Sequence, residues 1–251
     1  MAIIKRPTET TDDLLASSAQ NMRDFISIVR GYIDTPDGTK KIKFATNQMS
    51  RGLNNLINLS KYNVGKLKLN INGCTFNDIY SLIQDEIQSL AKTAGQIILL
   101  DTPKKLPDIA ADVSYMSEVL YNLIDNAIKF SNPGAIIQVK IWSNTDHINV
   151  TVVDHGIGMS ERTIGWAFSG PDEPQKSSTG IGLHISRIIT KMHGGDISIS
   201  SELNKGSKFT ISIPTHKRAA DQSMSASKPH IINNGHGWVK RHLTKEGNDN
   251  D

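Results

Sequence analysis

Between Leu15 and Tyr32 the apolar or small residues fall at Leu15, Ser18, Met22, Phe25, Val29 and Tyr32, in steps of three and four that draw one stripe along a helix. After the turn residues of DTPDGT the pattern resumes at Ile42, Ala45, Met49, Leu53 and Leu56, and it stops near KYNVG. These runs predict a helical hairpin over residues 9–63. A lone hairpin covers its seam on one side only, so the pattern predicts pairing with a second copy into a four-helix bundle, a homodimer. Gln20 stands two residues from both Ser18 and Met22. At about 100° per residue it points away from the seam, towards solvent.

The rest of the chain changes period. GKLKLNI alternates, FNDIYSLIQDEIQSLAKTAG reads as a helix, QIILLD as a short strand and VSYMSEVLYNLIDNAIKFS as a long helix. AIIQVKIW and HINVTVVD then read as neighbouring strands around SNTD, and DISISS and KFTISIP as a second pair around ELNKG. GIGLHISRIITKMHGG lies between the pairs and reads as a helix ended by glycines. The expected fold class is α+β: the helical hairpin, then over residues 66–214 an α/β sandwich with helices layered on one face of a mixed sheet. Residues 215–251 mix Ser, Asn, Gly, Lys and Asp with few apolar residues, which predicts a disordered tail, with a short helix near GWVKRHL as an option. No internal repeat is present.

Composition narrows the function classes. With 37% hydrophobic residues in 251, the chain has enough apolar surface for one sizeable core and a smaller module. No window holds the roughly 20 consecutive apolar residues of a spanning helix, and MAIIKRPTET has no secretion signal, so a soluble cytoplasmic protein without a membrane segment is expected. Cys74 is the single cysteine, which rules out an intrachain disulfide and a multi-cysteine metal site. A net charge of +3 without a dense basic stripe gives no case for nucleic acid as a partner.

Three segments carry possible chemistry. In NLIDNAIKFS, residues 122–131, Asn122, Asn126 and Lys129 share one helix face. In DHGIGM, residues 154–159, Gly156 and Gly158 let backbone approach a ligand beside the acceptor Asp154. In STGIGL, residues 178–183, the N–H groups around Gly180 and Gly182 at a helix start form an anion cradle. Singly, these patterns also describe a polar helix face or an ordinary turn. Their order is the stronger signal.

Taken together they resemble the nucleotide-binding boxes of the sensor histidine kinases, whose ATP-binding domain is shared with type II topoisomerases, Hsp90 and MutL. The resemblance covers roughly residues 12–214 and includes the closing strands HGGDISISSELNKGSKFTISIP, with Gly206 in their turn. It implies ATP and Mg²⁺ as cofactors. Asn126 then ligates the Mg²⁺ that bridges the phosphates, Asn122 and Lys129 are catalytic and nucleotide-binding residues, Lys129 contacting phosphate, and Phe130 packs near adenine. Asp154 accepts from the adenine amino group beside Gly156 and Gly158, and Thr179, Gly180, Ile181, Gly182 and Leu183 form the phosphate loop. SERTIGWAFSGPDEPQKS resembles the family's lid, with Phe168 at its aromatic anchor, Gly165 where another aromatic is common, and Lys176 within reach of a γ-phosphate.

The first hairpin helix departs from the family. Its pattern there is His, an acidic residue, any residue, Arg, Thr, Pro; alignment on Arg23 puts Gln20 at the phosphoacceptor His and Asn21 at the acidic general base, with Asp24 and Phe25 following Arg23. A carboxamide nitrogen is delocalised into its carbonyl and is a poor nucleophile, and Asn21 has no basic oxygen. The resemblance implies a two-component signalling protein that binds Mg-ATP and dimerises, with self-phosphorylation disabled at Gln20, whether by natural divergence or engineered replacement. Its expected partner is a response regulator or another histidine kinase. Two alternatives stay open: a kinase that phosphorylates another residue or chain, tail histidines His216, His230, His236 and His242 included, and a slow ATPase. Asn122 stands where the ATPase relatives carry a water-activating Glu, which argues against the latter.

Overall fold

A computed structural model describes residues 38–169 and 180–215, together with Ile26, Ser27, Gly31 and Thr35. The first helical run, Gln20 and Asn21, the segment 170–179 with Lys176 and Thr179, and the tail beyond Thr215 lie outside the described residues.

The chain order is α1 (Gly38–Asn63), β1 (Asn72–Cys74), α2 (Phe76–Ser81), α3 (Gln84–Thr93), β2 (Ile97–Asp101), β3 (Ile109–Ala111), α4 (Val113–Lys129), β4 (Ile136–Ser143), β5 (His147–Asp154), α5 (Glu161–Ser169), α6 (Gly180–Met192), β6 (Asp196–Glu202) and β7 (Gly206–Pro214). Five strands form one mixed sheet in the order β2-β4-β5-β7-β6, with β2 parallel to β4 and the other pairs antiparallel. β1 and β3 form a separate antiparallel ribbon. Among the described residues no helix is long and apolar enough to cross a membrane.

Alternation decides which sheet face is covered. Val139, Val152 and Phe209 are register partners across three strands, and so are Ile141, Val150, Ile211 and Ile197 across four. All are buried. These rows meet α4, through Leu120, Leu123, Ile124 and Ala127, and α6, through Leu183, Ile185 and Ile189, in one contiguous core. The expected sandwich with helices on one face is what forms. Asp112 starts α4 by accepting from the N–H groups of Ser114 and Tyr115, which satisfies two of the helix's free donors.

Local structure departs from the sequence pattern at three places. The alternating GKLKLNI is not a strand; β1 begins only at Asn72. Among the described residues no strand pairs with that stretch, and the Asn70 N–H instead donates to Asp112 Oδ2 at 2.8 Å. FNDIYSLIQDEIQSLAKTAG is two helices, not one, broken at Leu82 and Ile83. Apolar steps of three and four continue across the break, so periodicity conceals it. β3 is too short for its three residues to show a period, and it was not foreseen. The second helical run, by contrast, is the long helix α1 at the expected place.

Candidate nucleotide-binding site

Helix α4 is the organiser. Its Asn122 donates through Nδ2 to Ser186 Oγ at 3.1 Å and to the Gly182 carbonyl at 3.4 Å, which ties it to the first turns of α6. At its other end the carbonyl of Phe130, the C-cap, accepts from Ile157 N–H at 3.1 Å, which ties it to the loop after β5. The described parts of the three segments read from the sequence thus converge on one helix. Asn122 and Asn126 are half-buried, Lys129 and Phe130 exposed, and Leu183 buried, with Ile181 and Gly182 half-buried at the start of α6.

The loop after β5 closes around its glycines. A Cβ on Gly156 would lie 2.0 Å from the Phe130 carbonyl oxygen, and one on Gly158 2.0 Å from that of Glu202. Gly158 also has φ of 64°, and Gly206, across the loop in the β6–β7 turn, has φ of 106°. Asp154 ends β5 only 4% exposed. Its Oδ1 accepts from Gly156 N–H at 2.9 Å and Ser207 N–H at 3.2 Å. Burial pushes its carboxyl pKa up, against those hydrogen bonds and the Ser207 hydroxyl.

Residues 111–217 match the family described as "Histidine kinase-, DNA gyrase B-, and HSP90-like ATPase". The alginate biosynthesis sensor protein KinB of Pseudomonas aeruginosa is 26% identical over 212 residues, 80% of this chain and 35% of that protein. The fold is that of the histidine kinase AdeS of Acinetobacter baumannii, with a TM-score of 0.58 and 21% identity over 78% of this chain and 97% of that one. Full-length ShkA, solved in complex with AMPPNP, gives a TM-score of 0.60 and 18% identity over 81% of this chain and 46% of that one.

Over residues 111–217 the chain carries a histidine kinase-, DNA gyrase B- and HSP90-like ATPase domain, and it is similar to sensor histidine kinases.

It spans about a third of the length of curated relatives such as KinB, 35% in that case. The structure adds local detail at two of the expected site positions. Lys129, expected on phosphate, is held by Asp125 at 2.5 Å, one turn back on α4. Phe168, expected as the lid's anchor, falls in the helix α5, whose first turn is supported by Ser160 Oγ accepting from Thr163 N–H.

Several residues around the candidate site were not visible in the sequence. Ser186 has an outward signal, its place four residues after Gly182, but its partner Asn122 lies 64 positions away. On α1, Arg51 pairs with Glu86 of α3, Asn58 donates to Glu118 of α4 at 3.4 Å, and Asn55 Nδ2 lies 3.6 Å from where a Gly182 Cβ would sit. Arg51, Asn55 and Asn58 are spaced by four and three, one polar face of α1 laid along the domain. Apolar periodicity does not mark such a polar seam. Glu118, within it, has its carboxyl pKa raised by burial first and then by Asp112, against the nearby Arg51 charge.

Proposed function

We propose that this chain binds Mg²⁺-ATP at the site built on α4 and acts as a dimeric, cytoplasmic two-component signalling protein that does not phosphorylate itself at Gln20. One observation supports the binding half best: the carboxamide face of Asn122 and Asn126, the Asp154 loop and the start of α6 are fastened to a single helix by the Asn122–Ser186 and Phe130–Ile157 hydrogen bonds. The donors suit the cation, because Mg²⁺ takes oxygen ligands and few of them from protein, and Asn126 supplies an amide oxygen with Asn122 beside it. Bound there, Mg²⁺ would neutralise phosphate charge. Asp154 would select the base, and the N–H groups around Gly180 and Gly182 would hold the phosphates. Thr179 and Lys176 are assigned to the same phosphate side from the sequence.

The output half rests on residue chemistry. Gln20 offers an amide where the family has an imidazole, and Asn21 no base. Such a protein would act through a partner, a response regulator or another histidine kinase. Calorimetry with ATP, with and without Mg²⁺, tests binding, and Asn126→Ala should remove the Mg²⁺ dependence. Incubation with γ-labelled ATP tests the rest: no self-label is expected, acid-stable label would favour an acceptor such as Ser, and label gained by Gln20→His would make the missing imidazole the lesion.

A further inference from the structure

Ser186 is wholly buried, and its hydroxyl proton is already spent. Oγ donates to the Gly182 carbonyl, one turn back in α6, at 2.7 Å. What remains on Oγ is lone pairs, so anything meeting it from α4 must donate. Asn122 meets it with Nδ2, at 3.1 Å, and the same nitrogen faces the Gly182 carbonyl at 3.4 Å. The reverse orientation of the carboxamide would set its oxygen against the Gly182 carbonyl oxygen and would have to draw the Ser186 proton away from that carbonyl. A planar amide whose nitrogen is fixed has its oxygen fixed as well, on the side away from α6.

From this geometry we infer that Ser186 is a positioning residue that orients the Asn122 carboxamide, presenting its oxygen to the phosphate-bridging cation and the cation's water shell. The inference rests on the Mg²⁺-ATP reading and deepens it. Mg²⁺ and its waters are served by an oxygen and repelled by an N–H, so the two orientations of one side chain differ in sign at the cation. Ser186 decides between them without touching nucleotide. Gly182 alone, at 3.4 Å, is a weak guide; deleting the hydroxyl removes the hydrogen bond that holds the side chain in its productive orientation.

The test is the ratio of ATP affinities measured by calorimetry with Mg²⁺ and with EDTA, in wild type, Ser186→Ala and Ser186→Thr. Ser186→Ala should reduce the Mg²⁺ enhancement by about threefold to tenfold, the worth of one hydrogen bond, and leave the affinity in EDTA within about twofold. Ser186→Thr, which keeps the hydroxyl, should restore the enhancement. An unchanged ratio, or an equal loss in both conditions, would overturn the inference while the Mg²⁺-ATP reading stood. A wild type that binds no nucleotide would overturn both. The nucleotide-free wild type gives a second arm by NMR: one slowly exchanging Nδ2 proton on Asn122 is expected, and fast exchange of both rejects the positioning whatever the variants do.

Discussion

The Arg51 guanidinium lies over the ring of Tyr121, its central carbon 3.5 Å from the ring centroid, and its Nη2 reaches Glu86 Oε2 at 2.6 Å. One side chain of α1 therefore holds both α3 and α4, at the residue next to Asn122. Arg suits this because its planar fork can stack and pair at once, which a Lys ammonium cannot.

Arg51→Ala should weaken the seating of α1 by about 1–3 kcal/mol, the combined worth of a partly desolvated cation–π contact and ion pair. Hydrogen exchange read residue by residue should show the loss over Gly38–Asn63. The β4–β5–β7 ladders should stay protected. Arg51→Lys should recover less than half of the loss; full recovery would mean that charge alone mattered.

Gly156→Ala places a methyl carbon where the Phe130 carbonyl oxygen is 2.0 Å away, and backbone on both sides leaves nowhere to yield. The Ile157–Phe130 hydrogen bond must open. Destabilisation of about 2 kcal/mol or more in urea titration, together with loss of nucleotide binding, is the expected outcome.

Asp154→Asn separates structure from recognition. With its oxygen kept towards the Gly156 and Ser207 N–H groups, the new side chain preserves both bonds and turns an NH₂ outward in place of a carboxylate oxygen. Donor then faces donor at the adenine amino group. Stability should change by less than about 1 kcal/mol while ATP affinity falls at least about tenfold, as calorimetry can measure.

His193 is held neutral. Its Nε2 accepts from Asp112 N–H at 3.0 Å and its Nδ1 meets the Ile189 carbonyl at 2.7 Å, so protonation removes the only acceptor on the ring. Burial, opposed by the Ile189 carbonyl and the Asp112 charge, lowers its pKa below 6.5. A depressed folded-state pKa means that the unfolded chain takes the proton first, so this contribution is complete above about pH 6.5 and is lost as pH falls. The raised carboxyl pKa values of Glu118 and Asp154 act with the opposite sign, so the quantity to measure is the difference between wild type and His193→Gln in urea midpoints from pH 8 to pH 5. That difference should shrink towards acid.

The elements legible in the sequence were those whose cause is local. The β4–β5 and β6–β7 pairs announce themselves because their apolar residues alternate at period two along the sequence, and α4 because its apolar stripe outlasts four turns. The glycines of the Asp154 loop were legible for the same reason, as sites where a side chain cannot stand. GKLKLNI misled because alternation states which side chains could be buried together, not whether a neighbour strand is there to pair.

By itself, then, the sequence determined the helix and strand types, the face each would bury and the residues that bring Asp154, Gly156 and Gly158 to one loop. Only tertiary structure decided that Ser186 would meet Asn122 and that Arg51 would lie on Tyr121. The physical reason is that burial patterning is a one-dimensional signal carried by each segment. A polar side chain's partner is set by where two elements cross, and its hydrogen bond forms only within about 3 Å, a precision that periodicity does not encode.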